Sequence, residues 1–92
     1  MIVRILSRGD KEIVLEIEGE DHTLGNMMMK EALRHPGVEH ATYRVPHPLK
    51  PVLEFTLVVK NGENVGKVLK DVIDSLRKQL EDFNLAVEKV LG

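Results

Sequence analysis

The chain has 92 residues, a formal net charge of −2, one Tyr, two Phe, and neither Cys nor Trp. At this length it forms one domain, residues 1–92, with a thin core that gains from burial against a partner, while 42% apolar and 30% charged residues exclude a disordered chain. The charge and the scarcity of aromatics exclude a domain that grips nucleic acid alone, and the missing cysteines exclude a disulfide framework, a thiol nucleophile or a thiolate metal site.

Ile2 to Ser7 is a short apolar run broken by Arg4, and Arg8-Gly9-Asp10-Lys11 follows with the chemistry of a hairpin turn. Two antiparallel strands are predicted. In the second, Ile13, Leu15 and Ile17 alternate with Glu12, Glu16 and Glu18, so one face is apolar and the other acidic.

Asp21 or Thr23 can cap the next helix, because either side chain can accept from the unpaired amides of its first turn. Leu24, Met27, Met28 and Leu33 recur at near three-to-four spacing, and Lys30, Glu31 and Arg34 are expected on the opposite, solvated side. Met27-Met28-Met29 spans most of the helix circumference, so the three cannot all face one sheet. The flexible thioether makes at least one a candidate for an adaptable partner contact. His35-Pro36-Gly37 ends the helix, since the residue before proline is pushed out of the helical region.

Val38 to Pro46 reads as a third strand with Ala41, Tyr43 and Val45 on one face. Pro46-His47-Pro48-Leu49-Lys50-Pro51 is a stiff exposed connection, because prolines supply no amide to a ladder. Leu53, Phe55, Leu57 and Val59 alternate with polar residues in a fourth strand that Asn61-Gly62 ends.

From about Asn64 to Leu91 apolar residues keep a helical period for roughly seven turns, a length of about 40 Å. That exceeds the diameter of so small a domain. Part of the stripe is therefore expected to overhang the sheet, and an uncovered row of Leu, Val and Phe marks a binding surface. The charges from Lys67 to Asp82 read as a solvated face with supporting pairs. The element order predicts an α+β, two-layer β-β-α-β-β-α domain, with a four-stranded antiparallel sheet covered by two helices on one face and a long C-terminal helix.

No constellation carries chemistry. The four histidines, His22, His35, His40 and His47, lack metal-ligand spacing; His35 and His47 read as turn residues before prolines. Asp21-His22-Thr23 is too local for a catalytic relay, whose members a fold brings together from separate positions. No stretch reaches the ~20 apolar residues that span a bilayer, and no signal-peptide pattern follows Met1. The expectation is a cytoplasmic protein without cofactor, metal, membrane contact or small-molecule substrate.

Asp21-His22-Thr23-Leu24-Gly25-Asn26, together with Tyr43 and His47-Pro48, resembles the subunit L family of archaeal RNA polymerase, the small alpha-like assembly subunits. The resemblance extends over almost the whole chain. It implies a non-catalytic subunit that heterodimerises with the larger, D-type alpha-like subunit of the polymerase and forms with it a platform for the two large catalytic subunits. DNA would be met only through the assembled complex. It further implies an interface on the two helices, for which Thr23, Leu24, Met27 and Met28 are the candidates on the first, and Val68, Val72, Leu76, Leu80 and Phe83 on the second. The competing readings are a self-dimerising enzyme similar to the pterin dehydratases, weakened because His47-Pro48 has no neighbouring histidine and the chain no Trp, and a small-molecule-binding module.

Overall fold

A computed structural model describes all 92 residues. Strands β1 (Ile2–Arg8) and β2 (Glu12–Glu18) form the first hairpin, helix α1 (His22–Arg34) follows, and strands β3 (Val38–Arg44) and β4 (Val52–Val59) lead into helix α2 (Val65–Leu91). The sheet is antiparallel throughout, in the order β1-β2-β4-β3. The predicted α+β arrangement holds, with strand boundaries displaced by a residue or two.

Strict alternation sets the inner face. Leu15 lies opposite Phe55, Ile13 opposite Leu57 and Ile17 opposite Leu53, and all six are buried. On β3, Ala41 and Tyr43 share this face through their pairing with Leu57 and Phe55. The register shift between Val38 and His40 lets Val38 also turn inward, as a bulge does when it inserts one unpaired residue. The strand stops at Arg44, so Val45 leaves the face assigned to it from the alternation; Pro46 follows and cannot donate to a ladder. The outer face is solvated and crossed by ion pairs, Arg4 to Glu16 and Glu18, and Arg44 to Glu54.

Asp21 is the N-cap of α1: its Oδ1 accepts from the amide of Thr23 at 3.2 Å, and the helix begins at His22. Thr23 therefore lies inside the first turn rather than at the cap. Gly25, Met28 and Ala32 form the buried stripe. Gly25 has a steric reason, since a Cβ there would meet Tyr43 Cδ2 at 2.5 Å and Leu53 Cδ1 at 2.8 Å. The glycine lets the helix backbone rest directly on the sheet.

Two side chains of α1 exchange the places expected of them. Leu33 is exposed, whereas Glu31 turns toward α2, where its carboxylate accepts from the Ser75 hydroxyl and from Gln79 Nε2 at 2.7 Å. Hydrogen bonding has overridden the apolar spacing: a carboxylate with two donors can be drawn into a helix contact without an unmet acceptor. These bonds, Ser75 first and Gln79 second, with Arg34 nearby, hold the Glu31 carboxyl below its ordinary range against an opposing desolvation effect. At the end of α1, His35 Nδ1 accepts from the Gly37 amide at 2.9 Å while Nε2 lies 3.1 Å from Asp71 Oδ2, the tautomer in which Nε2–H donates. The prediction of His35 as a turn residue omitted this second tie to α2.

Three outcomes test these assignments. Asp21→Ala is expected to cost about 0.5–2 kcal/mol in urea unfolding and Thr23→Ala close to nothing, as only the former removes the cap. Gly25→Ala is expected to cost about 1–3 kcal/mol through overpacking against Tyr43. Glu31→Ala is expected to cost about 1.5–3 kcal/mol at pH 7, the range for hydrogen bonds to a charged group. Because folding lowers the Glu31 pKa, its contribution is complete above the unfolded value of about 4.3 and is lost as pH falls through the folded one. The difference between wild type and Glu31→Ala should accordingly narrow in unfolding curves recorded at pH 3.

Candidate protein interface

Two helices do not cover four strands. Helix α1 packs on β3 and β4, and α2 packs on α1 and β4, leaving the inner face of β1 without a helix above it. Val3 and Ile5, aligned by register with Ile17 and Leu15, remain about half exposed at 54% and 55%. Between this strand and the helices runs an apolar groove of ≈ 800 Å³. Met1, Val3 and Ile5 form one wall, Ile13, Leu15 and Ile17 the floor, and Leu24, Met28, Leu69, Ile73, Leu76 and Leu80 the other wall. The only ionisable residues in its lining are Arg8 and Arg77. Gly66 belongs to the same surface: Arg8 Nη2 lies 2.9 Å from where a Cβ of residue 66 would stand, so the guanidinium lies along the first turn of α2.

Helix α2 carries two neighbouring apolar stripes. Val65, Val68, Val72 and Leu76 face the chain's own core and are buried. Leu69, Ile73, Leu76, Leu80, Phe83, Val87 and Val90 recur at strict four-three spacing, the spacing of a coiled-coil seam. Leu76 belongs to both. The seam borders the groove as far as Leu80 and then runs on alone, since every residue from Arg77 to Gly92 is exposed. Leu80 is 53% and Phe83 66% exposed, a contiguous apolar surface of the kind that marks a protein contact.

The residues predicted as interface separate accordingly. Thr23 is exposed, while Leu24 and Met27 are half-buried, Leu24 in the groove wall. Met28, Val68 and Val72 are sealed in the chain's own core at 2% exposure or less, leaving almost no surface to offer. Leu76 is nearly buried and borders the groove. Leu80 and Phe83 stand free. The methionine run divides as its geometry requires, with Met28 inside and Met27 and Met29 packed at the core's edge. What sequence reasoning missed is the β1 wall. Its signal was the apolar character of both alternating sets, with Ile2 and Leu6 joining Val3 and Ile5, more than a strand with one solvated face requires.

At the far end of α1 the two sequence signatures meet. Tyr43 Oη lies 3.3 Å from His22 Nδ1, their rings edge to face at 5.7 Å, and Asp21 and His22 share a shallow surface hollow with His47 and Pro48. Tyr43 is also the ring on which Gly25 rests. No group of three or more His, Cys, Asp or Glu side chains is placed to hold a metal ion, and no helix is long and apolar enough to cross a membrane. This geometry presents apolar surface and caps a helix.

Comparison with known proteins agrees with that character. Residues 12–85 match the profile described as the RNA polymerase Rpb3/Rpb11 dimerisation domain. The chain belongs to the Rpb3/Rpb11 family. Among its curated relatives, DNA-directed RNA polymerase subunit Rpo11 of Sulfurisphaera tokodaii is 32% identical over 90 residues, covering 98% of this chain and 94% of the relative. The Rpo11 of Saccharolobus shibatae is 47% identical over 77 residues, covering 84% of each. The crystal structure of DNA-directed RNA polymerase subunit L from Thermoplasma acidophilum superposes with a TM-score of 0.79 at 26% identity, covering 96% of this chain and 86% of that one. The resemblance to the archaeal subunit L family is therefore real, and in this chain the groove and the seam of α2 form a continuous exposed apolar surface.

The division of α2 predicts opposite phenotypes for the same chemical change. Val72→Asp is expected to remove about 4 kcal/mol or more by placing an unpaired carboxylate in the core, read as loss of a cooperative thermal transition. Leu80→Asp should leave the unfolding midpoint of the dilute isolated chain within about 0.5 kcal/mol of wild type.

Proposed function

We propose that the whole chain, residues 1–92, acts as the small alpha-like assembly subunit of a DNA-directed RNA polymerase. It heterodimerises with the larger, D-type alpha-like subunit, and the pair forms the platform on which the two large catalytic subunits assemble. The observation that carries this reading is the open groove beside a helix whose apolar seam outruns its own core, in a chain of the Rpb3/Rpb11 dimerisation family. Such surface is costly alone and profitable in a complex, because fully burying one large apolar side chain gains roughly 1.5–3 kcal/mol.

In this role Leu24, Leu76, Leu80 and Phe83, with Leu69 and Ile73, make the apolar contact. Thr23 and Met27 lie toward its margin, and Met28, Val68 and Val72 support the contact from beneath. The chain contributes no catalytic group, cofactor or metal; nucleotidyl transfer and DNA contact reside in other subunits, and the complex works in the cytoplasm. Neither a pterin-dehydratase-like enzyme nor a small-molecule module draws support from the surface, whose apolar concavity is an open groove with two arginines in its lining.

Co-expression of the chain with the larger alpha-like subunit from the same genome, followed by size-exclusion chromatography, is expected to give a one-to-one complex. Leu80→Asp combined with Phe83→Asp should weaken it by about 100-fold or more, the loss of roughly 3 kcal/mol of central apolar contact. Leu33→Asp, exposed and outside the groove, should leave it intact. Leu76→Asp is a poorer test, since that side chain also belongs to the chain's own core. A double variant that bound the larger subunit with wild-type affinity would overturn the assignment of the surface.

A further inference from the structure

We propose that Asn61 is a site of spontaneous covalent modification, converting in the folded chain through a cyclic imide to aspartyl and isoaspartyl forms, and that the isoaspartyl form loosens the start of α2. The chain has four asparagines, Asn26, Asn61, Asn64 and Asn84, and the fold sets one apart from the other three. Asn26 and Asn84 lie inside α1 and α2, where the amide that follows each is held in the helical ladder. Asn64 is held by its own bond, its Oδ1 accepting from the Lys67 amide at 2.9 Å, and it precedes the branched and buried Val65. Asn61 alone precedes a glycine, Gly62, and both residues are exposed.

The turn leaves the reacting atoms free. The Glu63 amide donates to the Lys60 carbonyl at 3.1 Å, closing a four-residue turn whose third residue, Gly62, has φ +85°, a conformation that calls for glycine there. The Gly62 amide donates to no backbone carbonyl, so its use as a nucleophile breaks no tie. Once that amide has given its proton to a base in the solvent, the Gly62 nitrogen bonds to Asn61 Cγ; the bond from Cγ to the side-chain nitrogen breaks, and that nitrogen leaves with a proton as ammonia. Water then opens the five-membered imide. Attack at Cγ gives aspartate, whereas attack at the main-chain carbonyl gives isoaspartate, whose backbone runs through Cβ and is longer by one atom. The sum of the steps is amide plus water to carboxylate plus ammonium, with no oxidant or cofactor. A longer backbone between Lys60 and Glu63 is incompatible with the turn bond. That turn hands β4, which Lys60 ties to Gly37 through a 2.9 Å bond, to the N-cap of α2 at Asn64.

The test is to age the full chain in mildly alkaline buffer and cut it with a glutamate-specific protease, which releases Phe55 to Glu63 with Asn61 as its only asparagine. That fragment is expected to gain the mass that separates an acid from its amide, while those bearing Asn26, Asn64 and Asn84 keep theirs. The intact aged chain should accept methyl groups from a purified isoaspartyl methyltransferase, and Asn61→Gln should lose that signal. The rate in the folded chain should lie within about tenfold of that in the free peptide Val59 to Glu63, because the turn adds little to the barrier. The isoaspartyl form, separated by chromatography, should unfold at a lower temperature than Asn61→Asp, which carries the same charge on a backbone of ordinary length. A fragment of unchanged mass, equal modification at Asn64, or a folded chain about 100-fold slower than the peptide overturns the site. Coincident unfolding of the isoaspartyl form and Asn61→Asp overturns its effect on α2. Neither outcome bears on assembly with the larger alpha-like subunit, which the turn does not enter.

Discussion

The sheet is wider than its cover. Four strands offer an inner face that two helices, α1 over β3 and β4 and α2 over β4, conceal only in part, and everything distinctive about the surface follows from that mismatch. Its core is nonetheless complete where it exists: fifteen apolar side chains are buried and no buried side-chain nitrogen or oxygen lacks a partner. Completeness over β4 and β3 and deficit over β1 lie on the same face of the sheet, so one layer of the domain stops short of the edge strand. The thinnest dimension, 17 Å, is that of two layers without a third.

Helix placement depends on one close approach. Gly25 seats α1 against Tyr43 and Leu53, Asp21 fixes where the helix starts, and Glu31 and His35 fasten its other half to α2 through Ser75, Gln79 and Asp71. With α1 pinned to β3 and β4, and α2 pinned to α1, neither helix is free to slide across toward β1. The signature residues from Asp21 to Gly25 thus keep the groove open by holding its wall in place, a structural task that needs no reactive group.

The element order, the overhang of α2 and the alternation of β2 and β4 were legible because each rests on periodicity, a local property. What periodicity could not separate was which of two adjacent stripes on α2 faces home. Val68 and Leu69 differ by one position and look equivalent in composition, but the packing of α2 on β4 and α1 buries the first and leaves the second bordering the groove. For the same reason Val68 and Val72 read as partner-facing residues though they lie within the core, and Ile73, part of the same apolar period, was not among the interface candidates. Glu31 escaped because its donors, Ser75 and Gln79, lie more than forty residues away. The β1 wall escaped because exposure of an edge strand depends on what the helices fail to reach, which no single segment records.

Strand β1 has a consequence beyond recognition. It ends the sheet, so a row of its amides and carbonyls has no neighbour, and it bears Ile2, Val3, Ile5 and Leu6 beside that open row. Such a border is a template for stacking further chains into aggregates. Two devices along it oppose this: the positive charge of Arg4 and the register break after Ile5, which twists the strand away from a flat docking geometry. The concentration at which the chain is made therefore matters to its fate, because crowding of such borders favours precipitation over folding.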